Sequence, residues 1–99
     1  MTRRPPEISI NRFQLAILLN EKQKQDYQFM LDEGVFCGHC GGVAQKGIVV
    51  TEIYLNSLND IIVHGTCKVC NGKVSCTMEF GEDKAFYEKA NDFRKAIRD

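Results

Sequence analysis

The chain has 99 residues, with 13 Lys and Arg against 13 Asp and Glu, so its formal net charge at pH 7 is zero. This length predicts one domain, residues 1–99, with a small hydrophobic core of the kind that a bound metal often supplements. The balanced charge disfavours a strong nucleic-acid binder, which is usually basic. The longest apolar run, residues 15–19, is far too short to span a bilayer, so we expect no membrane partner.

Residues 1–10 are predicted to form a flexible lead. Pro5 and Pro6 oppose regular structure, and the pair Arg3-Arg4 is expected to be a solvated terminus rather than a phosphate contact. No apolar signal-peptide core follows these residues. We therefore expect a cytoplasmic protein whose cysteines are reduced, a setting in which Cys pairs favour metal over disulfides.

Residues 11–33 are predicted to form an N-terminal helix. Asn11 suits the N-cap position, Gln14 suits its capping-box partner, and apolar residues recur at helical spacing from Phe13 onward. Residues 20–26 are all polar, which leaves either one long helix with solvated middle turns or two shorter helices around a polar link. We favour one helix, because no residue in that stretch breaks a helix.

Two Cys-x-x-Cys pairs form the most specific pattern in the chain: Cys37, Cys40, Cys67 and Cys70. A two-residue gap lets a tight turn direct both sulfurs at one point, and two such turns supply the tetrahedral thiolate shell that Zn²⁺ prefers. Gly41-Gly42 and Asn71-Gly72 follow the pairs, and Gly and Asn adopt positive φ more readily than most residues. The sequence predicts one structural Zn²⁺ per chain.

Residues 35–80 thereby resemble the zinc-ribbon fold group, in which two such cysteine turns, called knuckles, cap the ends of β-hairpins. The resemblance implies a small antiparallel sheet and a metal that holds the hairpin ends together. Rubredoxins share this architecture and hold iron, but the proline usual inside their knuckle is missing here.

Three antiparallel strands are predicted from the residues around the cysteines. Residues 47–55 and 61–64 are rich in branched and aromatic residues and flank a polar turn at 56–60, which is typical of a hairpin. Residues 73–80 alternate with a period of two, which predicts a third strand with one buried face. That face comprises Val74, Cys76, Met78 and Phe80.

Residues 82–98 are predicted to form a C-terminal helix. Glu82 and Asp83 would lie in its first turn and Lys95 and Arg98 in its last, which suits the helix dipole. An apolar stripe is expected to pack on the inner face of the third strand, and it consists of Phe86, Ala90, Phe93 and Ile97. The expected fold class is α+β: a three-stranded zinc ribbon flanked by an N-terminal and a C-terminal helix.

The other candidate residues are given structural interpretations. Cys76 is expected to be a buried, inert thiol. His39 and His64 are not predicted to bind the metal, because four cysteines complete its shell. Phe36 and Tyr54 could stack on nucleic-acid bases, but core or interface roles are commoner for such residues.

Four thiolates leave no open coordination position, and no catalytic set has supporting spacing, so we expect no enzyme. The favoured function is a protein-interaction or regulatory module. Its N-terminal helix, residues 11–33, either covers the sheet or binds a protein partner or a second copy. The alternatives are a nucleic-acid-binding zinc ribbon and, less favoured, an iron electron carrier similar to rubredoxin.

Overall fold

The computed structural model describes residues 7–98, with side chains through residue 97. In chain order the elements are β1 (Ile8–Ile10), α1 (Arg12–Leu18), α2 (Glu21–Phe29), a π-helical turn (Met30–Gly34), β2 (Phe36–Cys37), β3 (Gly42–Val43), β4 (Ile48–Leu55), β5 (Ile61–Cys67), β6 (Lys73–Met78), a 3-10 turn (Phe80–Glu82) and α3 (Lys84–Arg98). This is an α+β chain with three α-helices and antiparallel sheets.

The larger sheet has four strands in the order β1-β4-β5-β6, and every pair is antiparallel. Its last three strands are those that the sequence predicts. The smaller sheet joins β2 to β3 through the pairs Phe36↔Val43 and Cys37↔Gly42. No helix within residues 7–98 combines the length and the apolar composition that a bilayer span requires.

The larger sheet buries one face. Along β5 the buried residues alternate with half-buried ones, because successive side chains of a strand point to opposite faces. The same alternation holds in β6, where Val74 and Met78 are buried while Ser75 and Thr77 are exposed. Helices α1 and α3 contribute Leu18, Phe86 and Ala90 to the core that covers this face.

The flexible lead predicted for residues 1–10 is wrong at its C-terminal end. Residues Ile8–Ile10 form β1, which pairs with Ile53–Leu55 of β4 and buries Ile10 to 5% exposure. Pairing satisfies backbone groups that the edge of β4 would otherwise present to solvent. The rest of that prediction, for residues 1–6, lies outside the described residues.

The single helix favoured for residues 11–33 is also wrong. The chain turns out of α1 at Leu19, whose backbone is extended, and a second helix follows with Asn20 as its N-cap. The Asn20 side chain accepts from the Gln23 N–H at 2.8 Å, and the Gln23 side chain accepts from the Asn20 N–H at 2.9 Å. This capping box starts α2 inside the polar stretch, which is therefore helical and not a link.

The C-terminal helix starts later than predicted, because Glu82 belongs to the preceding 3-10 turn. The Asp83 side chain accepts the Phe86 N–H at 3.1 Å, so this residue precedes the helix rather than lying in its first turn. Phe86 and Phe80 are in contact, with ring centroids 5.6 Å apart, but Phe80 belongs to the 3-10 turn and not, as predicted, to the third strand. Ile97 departs from the predicted stripe, since it is 46% exposed.

Candidate metal centre

The fold brings the two Cys-x-x-Cys pairs to the same end of the larger sheet. Cys37 ends β2 and Cys40 lies in the turn to β3, whereas Cys67 ends β5 and Cys70 lies in the turn to β6. Strands β2 and β3 have only two residues each, so the first turn stands on a very short hairpin. The second turn extends from two long strands and is much better supported.

Both turns close with the same backbone hydrogen bond. The Gly41 N–H donates to the Cys37 carbonyl at 2.9 Å, and the Asn71 N–H donates to the Cys67 carbonyl at 2.8 Å. The donor residue has positive φ in each case, 77° at Gly41 and 64° at Asn71. Left-handed backbone is open to glycine and tolerated by asparagine, which explains why these residue types follow the second cysteine of each pair.

The four sulfur atoms all lie within 4.8 Å of one another. Cys37 Sγ is 3.5 Å from Cys70 Sγ, and Cys40 Sγ is 3.8 Å from Cys67 Sγ. A tetrahedral shell with Zn–S bonds of about 2.3 Å has sulfurs about 3.8 Å apart, so the donor set fits one ion of that size. Both separations are far longer than a disulfide bond of about 2.05 Å, and all four cysteines are free.

The site is buried on one side only. Cys37 and Cys67 are fully buried, whereas Cys40 and Cys70 are exposed. The backbone N–H groups of Cys70 and Val69 lower the pKa of Cys67 to about 7, because they stabilise its thiolate. Hydrogen bonds with the thiols of Cys70, Cys37 and Cys67 raise the pKa of Cys40 to about 12. The crowding of the sulfurs thus opposes the loss of the Cys40 proton, and a bound cation would remove that opposition.

Backbone groups around the second turn also support the site. The Gly72 N–H points at Cys70 Sγ from 3.4 Å, which is a hydrogen bond of the kind that spreads thiolate charge. The Lys68 N–H donates to the Gly47 carbonyl at 3.0 Å and so ties the turn to the segment before β4. Gly47, predicted as the first residue of the strand over 47–55, instead precedes β4 and has a φ of 80°, a conformation that glycine adopts readily.

The remaining candidates lie outside the sulfur cluster. The exposed His39 ring lies against Gly72, where an added Cβ would be 2.2 Å from His39 Cδ2. His64 sits on the open face of the sheet, 5.5 Å from the Tyr54 ring in an edge contact. Cys76 is half-buried in β6, and burial raises the pKa of its thiol. Phe36 is 63% exposed beside the first pair, so it lies outside the core.

Comparison of the chain with protein families, with curated proteins and with solved structures finds no match.

Proposed function

We propose that this chain is a small zinc-binding protein of the zinc-ribbon type, in which one structural Zn²⁺ is held by Cys37, Cys40, Cys67 and Cys70. The observation that carries the proposal is the cluster of four free sulfurs within 4.8 Å, built from two turns of the same geometry. Four thiolates close the coordination shell, so the ion has no position left for water or substrate. We therefore propose that the ion has a structural role and that the protein is not an enzyme.

The zinc ion would act as a clamp between two parts of the chain. The β2–β3 hairpin is joined to itself by only two residue pairs, Phe36↔Val43 and Cys37↔Gly42. So short a hairpin is not stable in water without further support. Bonds from one ion to both turns would fix it to the end of β5 and β6, and the free energy of metal binding would become folding free energy.

The clamped end presents apolar side chains to solvent. Phe36 and Val43 lie opposite each other in the hairpin and are 63% and 47% exposed, and Val69 in the second turn is 54% exposed. Exposed apolar residues on a rigid element are typical of protein-interaction surfaces. We infer that the zinc-held turns form a module that binds a protein through these three residues.

Metal analysis and a matched pair of variants test the two parts of this proposal. The purified chain is expected to contain one zinc; iron instead would favour an electron carrier. A partner protein that cross-links to the wild-type chain should no longer cross-link to Phe36→Ser and should still cross-link to Leu58→Ser. Leu58 is the control because it is 52% exposed but lies in the turn between β4 and β5, at the opposite end of the sheet. Equal loss with both variants would contradict an interaction surface at the metal end.

Nucleic-acid binding is the second candidate, because three exposed lysines lie near the sulfur cluster: Lys46, Lys68 and Lys73. A zinc ion with four thiolates has a net charge of −2, which would largely offset the positive charge of these lysines, so protein binding ranks first. Titration of a fluorescent single-stranded oligonucleotide at several salt concentrations separates the two. Tight binding with a steep salt dependence would reverse the ranking.

A further inference from the structure

Among residues 7–98, strand β6 pairs on one side only, with β5, and so forms an edge of the larger sheet. The Cys67 N–H donates to the Gly72 carbonyl at 2.9 Å, which fixes the hydrogen-bonding phase of the β5–β6 hairpin. The register Gly65↔Val74 and Val63↔Cys76 continues this phase, so Val74, Cys76 and Met78 bond to β5. The backbone groups of the intervening residues, Lys73, Ser75 and Thr77, therefore point away from the sheet.

No hydrogen bond within residues 7–98 occupies that side of β6. A groove lies between α2 and the end of the strand. The groove is lined by Asp26, Met30, Thr77, Met78, Glu79 and Phe80. An open edge of this kind is a template for another extended strand.

The sequence of this edge is complementary to itself when it is reversed about Cys76. Residues at equal distances on either side match chemically: Ser75 with Thr77, Val74 with Met78, and Lys73 with Glu79. An antiparallel copy of β6 in that register would place hydroxyl against hydroxyl and apolar against apolar. It would also bring Lys73 close to Glu79, which directly follows the strand, twice. The register also suits the backbone, because Ser75 and Thr77, whose free groups point outward, would be hydrogen-bonded partners.

The charges at the end of the strand favour the same arrangement. Asp26 and Glu79 line the groove, and both are exposed. A hydrogen bond and repulsion from Glu82 raise the pKa of Glu79, which shows how close these two carboxylates are. Among the described residues, no Lys or Arg forms an ion pair with Asp26, Glu79 or Glu82. An antiparallel second copy would bring its own Lys73 to this acidic end.

We propose that two copies of this chain form a two-fold dimer by antiparallel pairing of their β6 edges about Cys76, which would produce one continuous eight-stranded sheet. The interface is isologous, since each copy contributes the same strand. Its position at the β6 edge differs from a dimer through the N-terminal helices. The proposed dimer does not depend on the presence of zinc at the four cysteines.

Native mass spectrometry and sedimentation of the zinc-loaded full-length protein test this proposal. The wild type should have the mass of two chains. Ser75→Pro should have the mass of one chain with unchanged zinc content, because it removes an N–H that forms no bond within the chain. Ser75→Ala is the matched control that retains this N–H, and it should remain a dimer.

Charge reversal tests the register even if the proline variant fails to fold. Lys73→Glu and Glu79→Lys should each weaken the dimer by about tenfold or more, because each places like charges opposite each other twice. The double variant Lys73→Glu/Glu79→Lys should restore the wild-type affinity. A single-chain mass at every concentration would overturn the proposal. So would a dimer that is insensitive to Ser75→Pro, or a double variant without recovery.

Discussion

Arg94 Nε donates a hydrogen bond of 2.9 Å to Asn59 Oδ1, and both side chains are buried. This bond links α3 to the turn between β4 and β5. The Asn59 amide also donates to the Tyr87 carbonyl at 3.2 Å and to Asn91 Oδ1 at 3.0 Å, and Arg94 donates to the Asn56 carbonyl. Asn59 has a φ of 60°, so one residue provides both the left-handed turn and the anchor for the helix.

Asn59→Ala should therefore lower the free energy of unfolding by about 2 to 4 kcal/mol, because it removes the buried acceptor of the Arg94 Nε–H along with the bonds that the Asn59 amide donates. Asn59→Gly accepts the left-handed backbone but also lacks the amide, so it should lose slightly less. Urea unfolding of the two variants separates the contributions of backbone and side chain. An Asn59→Gly variant as stable as the wild type would show that the contact with Arg94 is not needed for stability.

Asp60 should make stability depend on pH. Burial raises the pKa of its carboxyl group above the ordinary 3.8, although the Gly81 N–H donates to it at 2.9 Å. The folded state then binds the proton more tightly than the unfolded state, so this group favours folding more as pH falls through the raised pKa. Asp60→Asn, which is always neutral, should melt at a higher temperature than the wild type at pH 7.

That difference in melting temperature should shrink as the pH is lowered toward the ordinary pKa of 3.8, where the wild-type carboxyl group is itself protonated in the folded protein. Thermal unfolding of both proteins over this pH range is the check. A difference in melting temperature that does not change with pH would mean that burial of the Asp60 charge does not cause the difference.

Gly65 should be intolerant of any side chain. An added Cβ would be 2.2 Å from the Val49 carbonyl oxygen, where β5 crosses close to β4 beside the irregular register between Val50 and Glu52. Gly65→Ala should cost about 3 kcal/mol, because two paired strands must separate. Gly38→Ala is the control, since a Cβ there meets nothing within 4 Å, and it should change stability by less than about 0.5 kcal/mol.

Asn20 should matter for where α2 begins. Asn20→Ala removes the acceptor of the Gln23 N–H, a bond of 2.8 Å, and should cost about 1 kcal/mol of unfolding free energy. Gln25→Ala is the control, because that residue is exposed in the same helix. Denaturant unfolding of both variants gives the comparison. Equal stability of the two would mean that the capping box contributes nothing measurable.

Local patterns were enough to predict β4, β5, β6 and the cysteine pairs. Branched residues, a polar turn and a period of two are properties of each segment by itself. The spacing within each cysteine pair likewise determines a turn locally. The break between α1 and α2 was also visible, because Asn20 and Gln23 repeat the spacing of Asn11 and Gln14. The polar composition of residues 20–26 concealed this break, because a polar stretch is equally compatible with the solvated middle of one long helix.

Pairing between distant segments could not be predicted in the same way. Ile8–Ile10 is only three residues long, so its own sequence shows no clear strand pattern. Its register depends on the edge of β4 with which it pairs. Arg94 occupies a buried position on α3 because acceptors from the β4–β5 turn, Asn59 and Asn56, converge there. A charged residue beside an apolar stripe gives no sign of such acceptors.

The central claim is that the four clustered cysteines hold one structural zinc ion. Its most direct test is the zinc content per chain in a native mass spectrum, together with the melting temperature before and after chelation. We compare the wild type with Cys70→Ser and with Cys76→Ser, the same substitution outside the sulfur cluster.

We expect one zinc for the wild type and for Cys76→Ser, and weakened or lost zinc for Cys70→Ser. We also expect a large fall in melting temperature on chelation, since metal binding contributes on the order of 10 kcal/mol in small zinc domains. A wild-type chain that contains no metal, or whose melting temperature does not change when zinc is removed, would contradict this claim.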